Sequence, residues 1–121
     1  MGNNGNNWKR WERTVAKLFG GVRRGADVRF GHDRQDGRSG GKNDIRGRHD
    51  DHGNEVEFPW SIECKCKKKQ GFQDILNACI EAEESRLNDS QCPVAVVKRP
   101  GDDFRNGLVV MRLEEFEKWF L

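Results

Sequence analysis

Glu63 and Lys65 stand two residues apart in Ser61-Ile62-Glu63-Cys64-Lys65-Cys66-Lys67, a stretch with the composition of a β-strand. Alternate residues of a strand share a face. A carboxylate and an ammonium are therefore set side by side, while Ile62, Cys64 and Cys66 turn the other way into a core. Alone, such a pair is ordinarily a solvated ion pair of small energetic value. Two further acids give it weight: Asp44 on a short strand-like run upstream, and Glu12 at the border of the apolar stripe of an amphipathic helix. Three acids and a lysine suit metal-assisted cleavage of a phosphodiester. That reaction needs a cation to screen the phosphate, an activated water and a group that stabilises the leaving oxygen. Mg²⁺ prefers carboxylate and carbonyl oxygens and keeps several waters. On that chemistry Asp44 and Glu63 supply carboxylates, and the main-chain carbonyl of Cys64 is a third ligand. Lys65 orients or deprotonates the water, or neutralises charge on the phosphate. Glu12 ligates directly or holds a metal-bound water.

The elements that must position these groups follow from the spacing of apolar residues. Residues 1–7, rich in Asn and Gly, have nothing to bury and read as a flexible tail, leaving 8–121 as a single domain. Trp8, Trp11, Val15, Leu18 and Phe19 recur at helical spacing up to a stop at Gly20-Gly21. The Gly- and charge-rich stretch 20–43 holds one strand-like piece, Asp27-Val28-Arg29-Phe30, and has the length of a functional loop. Asn43 to Gly47 predicts a short strand, and Arg48 to Asn54 a polar turn. Glu55 to Lys67 follows as a longer strand, with Pro59 marking an edge or bulge, so 44–67 is expected as a hairpin. Phe72, Ile75, Leu76, Cys79, Ile80 and Ala82 return to helical spacing, running to Leu87. Pro93 to Lys98, with Val94, Ala95, Val96 and Val97, and Leu108 to Met111 are apolar strands around a turn at Pro100-Gly101-Asp102-Asp103. Leu113 to Leu121 closes as a helix expected to bury Leu113, Phe116, Trp119 and Phe120. The crossover from the Glu63 strand through a helix to the Val94 strand favours parallel pairing. The predicted fold is α/β, a mixed sheet flanked by helices in the order α-β-β-β-α-β-β-α.

Hydrophobic residues make up 34% of the chain and charged residues 35%, which leaves room for one modest core. The net charge of +2 hides a segregation. Lys65, Lys67, Lys68 and Lys69 form a basic block, with Arg23, Arg24, Lys42, Arg46 and Arg48 upstream. Acids gather between Asp74 and Glu84 and between Glu114 and Glu117. A basic ridge beside carboxylates suits a polyanionic partner, although mixed charge also serves solubility. No apolar run has transmembrane length and no signal sequence is present. Asn6 stands where a myristoylation signal has Ser or Thr. A soluble cytoplasmic protein without a membrane partner is expected, with Cys64, Cys66, Cys79 and Cys92 as free thiols. His49, His52, Cys64 and Cys66 form a zinc set only on paper, since strand alternation puts both thiols on the core face.

The order Glu12, Asp44, Glu63-Cys64-Lys65 resembles the PD-(D/E)XK nuclease superfamily. The size of the chain and its helical glutamate look most like the archaeal-type Holliday junction resolvases, including those carried by phages. The resemblance spans roughly residues 8–98 in element order, with Asn43 where the motif has proline. It implies a restriction-endonuclease-like fold and a homodimer that makes paired nicks in four-way DNA junctions. Mg²⁺ is the implied metal, with Mn²⁺ as a substitute, and the setting is the host cytoplasm for a phage-encoded enzyme. Asp44 and Glu63 become metal ligands, Lys65 catalytic and Glu12 an assisting acid. The resemblance further implies a junction-contacting loop with a functional serine, for which Ser39 is the candidate. Arg23, Arg24, Lys42, Arg46, Lys67, Lys68 and Lys69 are the expected DNA contacts. The alternatives are a duplex or flap nuclease of the same superfamily, and a DNA-binding module that kept the fold without catalysis.

Overall fold

Cys92–Lys98 (β4) is the middle strand of a three-stranded sheet, and six of its seven residues are buried. A short, continuous apolar run of this kind is what a strand covered on both faces requires. The computed structural model describes residues 4–23, 44–54 and 56–121. On one side β4 pairs in parallel with Trp60–Cys66 (β3), with Ile62 opposite Val94 and Cys64 opposite Val96. On the other it pairs antiparallel with Leu108–Val110 (β5). The crossover between the parallel strands carries the helix Phe72–Glu84 (α2), as the sequence predicts. The first helix, Asn4–Phe19 (α1), covers one face of the sheet through Trp11, Val15 and Ala16 against Ile62, Cys64, Val94 and Val96. Ala78 and Cys79 of α2 cover the other, against Ala95 and Val97. Two buried polar bonds lock these layers: Trp11 Nε1 donates to the Val96 carbonyl (3.1 Å) and Ser61 Oγ to the Ala82 carbonyl (2.6 Å). The result is a mixed α/β architecture with helices flanking a central sheet.

The expected hairpin over 44–67 does not form. Ile45–Arg46 (β2) pairs antiparallel with Val22–Arg23 (β1) as a separate two-stranded ribbon, and β3 starts at Trp60, directly after Pro59. Two physical reasons stand out. Proline offers no N–H to a ladder, although the Pro59 carbonyl accepts from Cys92 N at 2.8 Å. The preceding loop also closes on itself, since Asp50 Oδ1 accepts from the amides of His52 and Asn54 and Val56 N donates to the Arg48 carbonyl. The strand-like piece 27–30 lies outside the described residues.

Three helices also differ from their sequence patterns. α1 begins at Asn4, ahead of Trp8, because apolar spacing marks only the turns that bury something. Its Leu18 is exposed. α2 stops at Glu84 and leaves Phe72 on the surface; its inner face consists of the small residues Ala78, Cys79 and Ala82, which let it lie close to the sheet. The last helix, Leu113–Phe120 (α3), inverts the expectation. Leu113, Phe116 and Phe120 are exposed and Trp119 is half-buried, whereas Glu115 is buried. Its carboxylate accepts from Arg86 Nη1 (3.2 Å) and Trp119 Nε1 (3.3 Å). Just before the helix Arg112 grips Glu83 with two bonds of 2.6 and 2.8 Å, so ion pairs set the orientation of α3. Among the described residues no helix is long and apolar enough to cross a membrane.

α1 ends at Gly20, where φ is +79°, and Gly21 follows in close contact with the ribbon: a Cβ there would meet the Arg46 carbonyl oxygen at 2.6 Å. Gly53 is also left-handed (φ +83°), with nothing within 4 Å of a new Cβ. Gly21→Ala is expected to cost about 1–3 kcal/mol in urea denaturation, from overpacking. Gly53→Ala is expected to cost about 1–2 kcal/mol, from backbone strain alone. A Gly21→Ala protein as stable as the wild type would remove the tight approach of ribbon to helix from this description.

Candidate active site

Among the described residues β3 is paired only with β4, which leaves its other edge without a strand partner there. On that edge the Cys64 amide donates to Asp44 Oδ2 at 2.8 Å instead of to a strand. The N–H and C=O of one strand residue point to the same side, so the Cys64 carbonyl opens on this edge too. Asp44 is placed there because Ile45, the next residue, is fully buried in the core. Glu12 is placed by its neighbour Trp11, which is buried and bonded to β4. Arg23 of β1 then fixes the Glu12 carboxylate with a 2.7 Å bond from Nε to Oε1. Glu63 and Lys65 share the β3 face that looks toward α2, with Lys65 Nζ 3.5 Å from Glu63 Oε2. The strand alternation read from the sequence therefore holds, with Ile62 and Cys64 in the core on the opposite face. Asp44, Glu12, Glu63 and Lys65 all line one cavity of about 400 Å³.

A fifth charged group completes the site. Glu81 of α2 lies 3.6 Å from Lys65 Nζ through Oε2, so the ammonium sits between two glutamates. Sequence reading placed Glu81 only in a general acidic run. A specific signal was present, since it falls between Ala78 and Ala82 on the border of the buried stripe of α2. Glu12 holds the equivalent border position on α1.

The charges are crowded, and their pKa values show it. Burial pushes the Asp44 carboxyl up to about 6, with Glu12 and Glu81 adding to the shift and the Cys64 N–H opposing it. Burial also raises Glu63, assisted by Asp44 and Glu81. For Lys65 burial works against the charge, but Glu63 and Glu81 outweigh it and hold the pKa above the ordinary lysine value. Lys65 is thus held as a cation between two carboxylates. Burial, together with Asp44 and Glu12, pushes the Cys64 thiol far up, so it stays neutral.

Among the described residues no three His, Cys, Asp or Glu side chains form a ready-made metal-binding group. Mg²⁺ does not demand one, since it commonly takes one or two carboxylates with waters and substrate oxygens. The donors at this edge, the Asp44 and Glu63 carboxyls and the Cys64 carbonyl, are hard oxygens, and a divalent cation would favour the ionised form that burial now opposes in both acids. They fit Mg²⁺ or Mn²⁺. They do not fit zinc: Cys64 is a neutral core thiol, all four cysteines are free, and His49 Nδ1 lies 3.2 Å from Arg46 Nη1 instead of near a thiol.

The expected DNA contacts divide. Lys67, Lys68 and Lys69 follow β3 and are exposed; Lys67 borders the cavity, while Lys68 and Lys69 border a neighbouring cleft of about 680 Å³ together with Lys98 and Arg99. Arg23 is engaged with Glu12. Arg46 is buried and donates to the Gly47 carbonyl, so it braces the loop and is not displayed to a ligand. Arg24, Ser39 and Lys42 lie outside the described residues.

The raised Asp44 pKa has a stability consequence. A carboxyl that holds its proton more tightly when folded stabilises the fold below the unfolded pKa, near 4, and loses that contribution as pH rises through about 6. In EDTA, Asp44→Asn keeps an acceptor for the Cys64 amide and removes the charge. Its melting temperature is expected to exceed that of the wild type at pH 8, by up to about 3 kcal/mol of stability, with the gap closing at pH 4. A gap independent of pH would refute the buried-acid description.

No protein-family model matches this chain, and neither a curated protein nor a solved structure is significantly similar to it, so the geometry above is what the reading of the site rests on.

Proposed function

We propose that the chain is a Mg²⁺-dependent DNA endonuclease of the PD-(D/E)XK type with a restriction-endonuclease-like fold. In this reading it acts as a homodimer on branched DNA, making paired nicks at four-way junctions. The observation that supports it most is the convergence of Glu12, Asp44, Glu63 and Lys65, from three separate parts of the chain, on one cavity at the free edge of β3.

Bound Mg²⁺ would screen the phosphate and activate a water. Asp44, Glu63 and the Cys64 carbonyl would hold it. Lys65, kept protonated by Glu63 and Glu81, stands where it can neutralise charge developing on a phosphate oxygen. Glu12, clamped by Arg23, is fixed within reach of the same cavity and can orient a water. Lys67, Lys68 and Lys69 lead away from the cavity and offer contacts to the flanking backbone, which position DNA without reading sequence. A binding module without catalysis has no use for buried acids facing phosphate, since each weakens its affinity for a polyanion.

Incubation with a four-way junction, a flap, linear duplex and single strand, in Mg²⁺ and in EDTA, tests the reading. Symmetric paired nicks confined to the junction are expected. Cutting of linear duplex or flap would make it a general nuclease of this type, and binding without cutting would make it a binding module. Glu63→Gln and Lys65→Met are each expected to lower the cleavage rate by about 100-fold or more while leaving DNA binding in EDTA intact. Glu81→Gln, which loosens one side of the lysine cradle, is expected to cost about tenfold in rate, within the range for positioning effects. A Lys65→Met protein that cuts at the wild-type rate would place the chemistry elsewhere.

A further inference from the structure

The catalytic cavity has an aromatic wall. Trp8 lies one helical turn before Glu12 on α1, at the i, i+4 spacing that puts both on the same face. The residue is 41% exposed, and it borders the cavity that contains Asp44, Glu63 and Lys65. The other tryptophan of this wall, Trp11, is 3% exposed and spends its indole N–H on the Val96 carbonyl. Core packing is therefore the work of Trp11, and Trp8 presents its surface to solvent at the mouth of the site.

Two cations lie over the Trp8 ring at loose cation–π distances, which a stacking base could displace. The Arg23 guanidinium carbon lies 5.7 Å from the Trp8 ring centroid, and Lys9 Nζ lies 5.6 Å from it. Arg23 also holds Glu12 at 2.7 Å, so the ring and the acid are tied through one side chain. The indole and the carboxylates line one cavity together with Lys65 and Lys67, so groups complementary to the two halves of a nucleotide stand side by side. A base stacked on the indole would place its phosphate toward Lys65 and toward the acids that would hold a metal. Bases inside a duplex have both faces covered by their neighbours, so only an unpaired or splayed base can use such a platform.

We infer that Trp8 is a stacking platform for an unpaired nucleobase beside the scissile phosphate, and that it directs the enzyme to branched or single-stranded DNA over intact duplex. This rests on the nuclease reading for the identity of the phosphate, but its test does not need cleavage. Oligonucleotides carrying 2-aminopurine beside the branch point of a flap or junction, or at the matched position of a duplex, are titrated with protein in EDTA. The wild type is expected to quench 2-aminopurine in the branched DNA and not in the duplex. Trp8→Phe keeps a ring and is expected to retain most of the quenching. Trp8→Ala is expected to lose it and to bind branched DNA about tenfold more weakly, with duplex binding unchanged. An unaltered melting temperature for Trp8→Ala would show that the fold is intact; if that variant unfolds, Trp8→Leu, which keeps apolar bulk without a ring, carries the comparison with the same loss expected.

Trp8→Ala with wild-type quenching and affinity would overturn the platform and leave the nuclease reading standing. Quenching that depends on Trp8, in a protein that cuts none of the substrates in Mg²⁺, would uphold the platform and overturn the nuclease reading. A wild type that quenches neither probe would overturn the platform.

Discussion

The free edge of β3 governs this structure. A strand edge with no neighbour exposes a row of amides and carbonyls that must be satisfied or shielded. Here the Cys64 amide takes its partner from the Asp44 carboxylate at 2.8 Å. That one bond gives the amide its partner and fixes an acid beside Glu63. It also leaves the Cys64 carbonyl facing the same opening. The two-stranded ribbon, the buried Ile45 and the closed loop around Asp50 hold Asp44 in place to make it.

The same arrangement is electrostatically costly. Asp44 and Glu63 are both buried enough for their pKa values to rise, and Glu12 and Glu81 add to the crowding around Asp44. A fold selected for stability alone would replace such acids with apolar or neutral groups. The single lysine placed between two glutamates offsets part of this repulsion and is itself made a more persistent cation. Clusters of mutually perturbed groups at the edge of a sheet are characteristic of sites that handle charge.

Elsewhere polar contacts, more than hydrophobicity, choose which way elements face. α3 carries four large apolar side chains, yet it turns Glu115 inward toward Arg86 and Trp119, while Arg112 at its start locks onto Glu83 of α2. A bidentate arginine–carboxylate pair is directional in a way that apolar burial is not. Of the apolar residues of α3, Trp119 packs against the core cluster on the α1 face of the sheet, and Leu113, Phe116 and Phe120 remain outside.

From the sequence alone come the elements with strong periods and their order: the amphipathic α1, the apolar β4, the parallel crossover through α2, and the shared face of Glu63 and Lys65. Each depends on residues close in the chain, where a 3.6- or two-residue repeat records which side is buried. Tertiary structure decided the rest. It separated β2 from β3, because Pro59 and the side chain of Asp50 outweighed an apparent hairpin. It also turned α3 by ion pairs between residues far apart in sequence, and brought Glu81 to Lys65 across the crossover. Spacing along a chain says which side chains share a face, but a partner contributed by another element is set only when the layers pack.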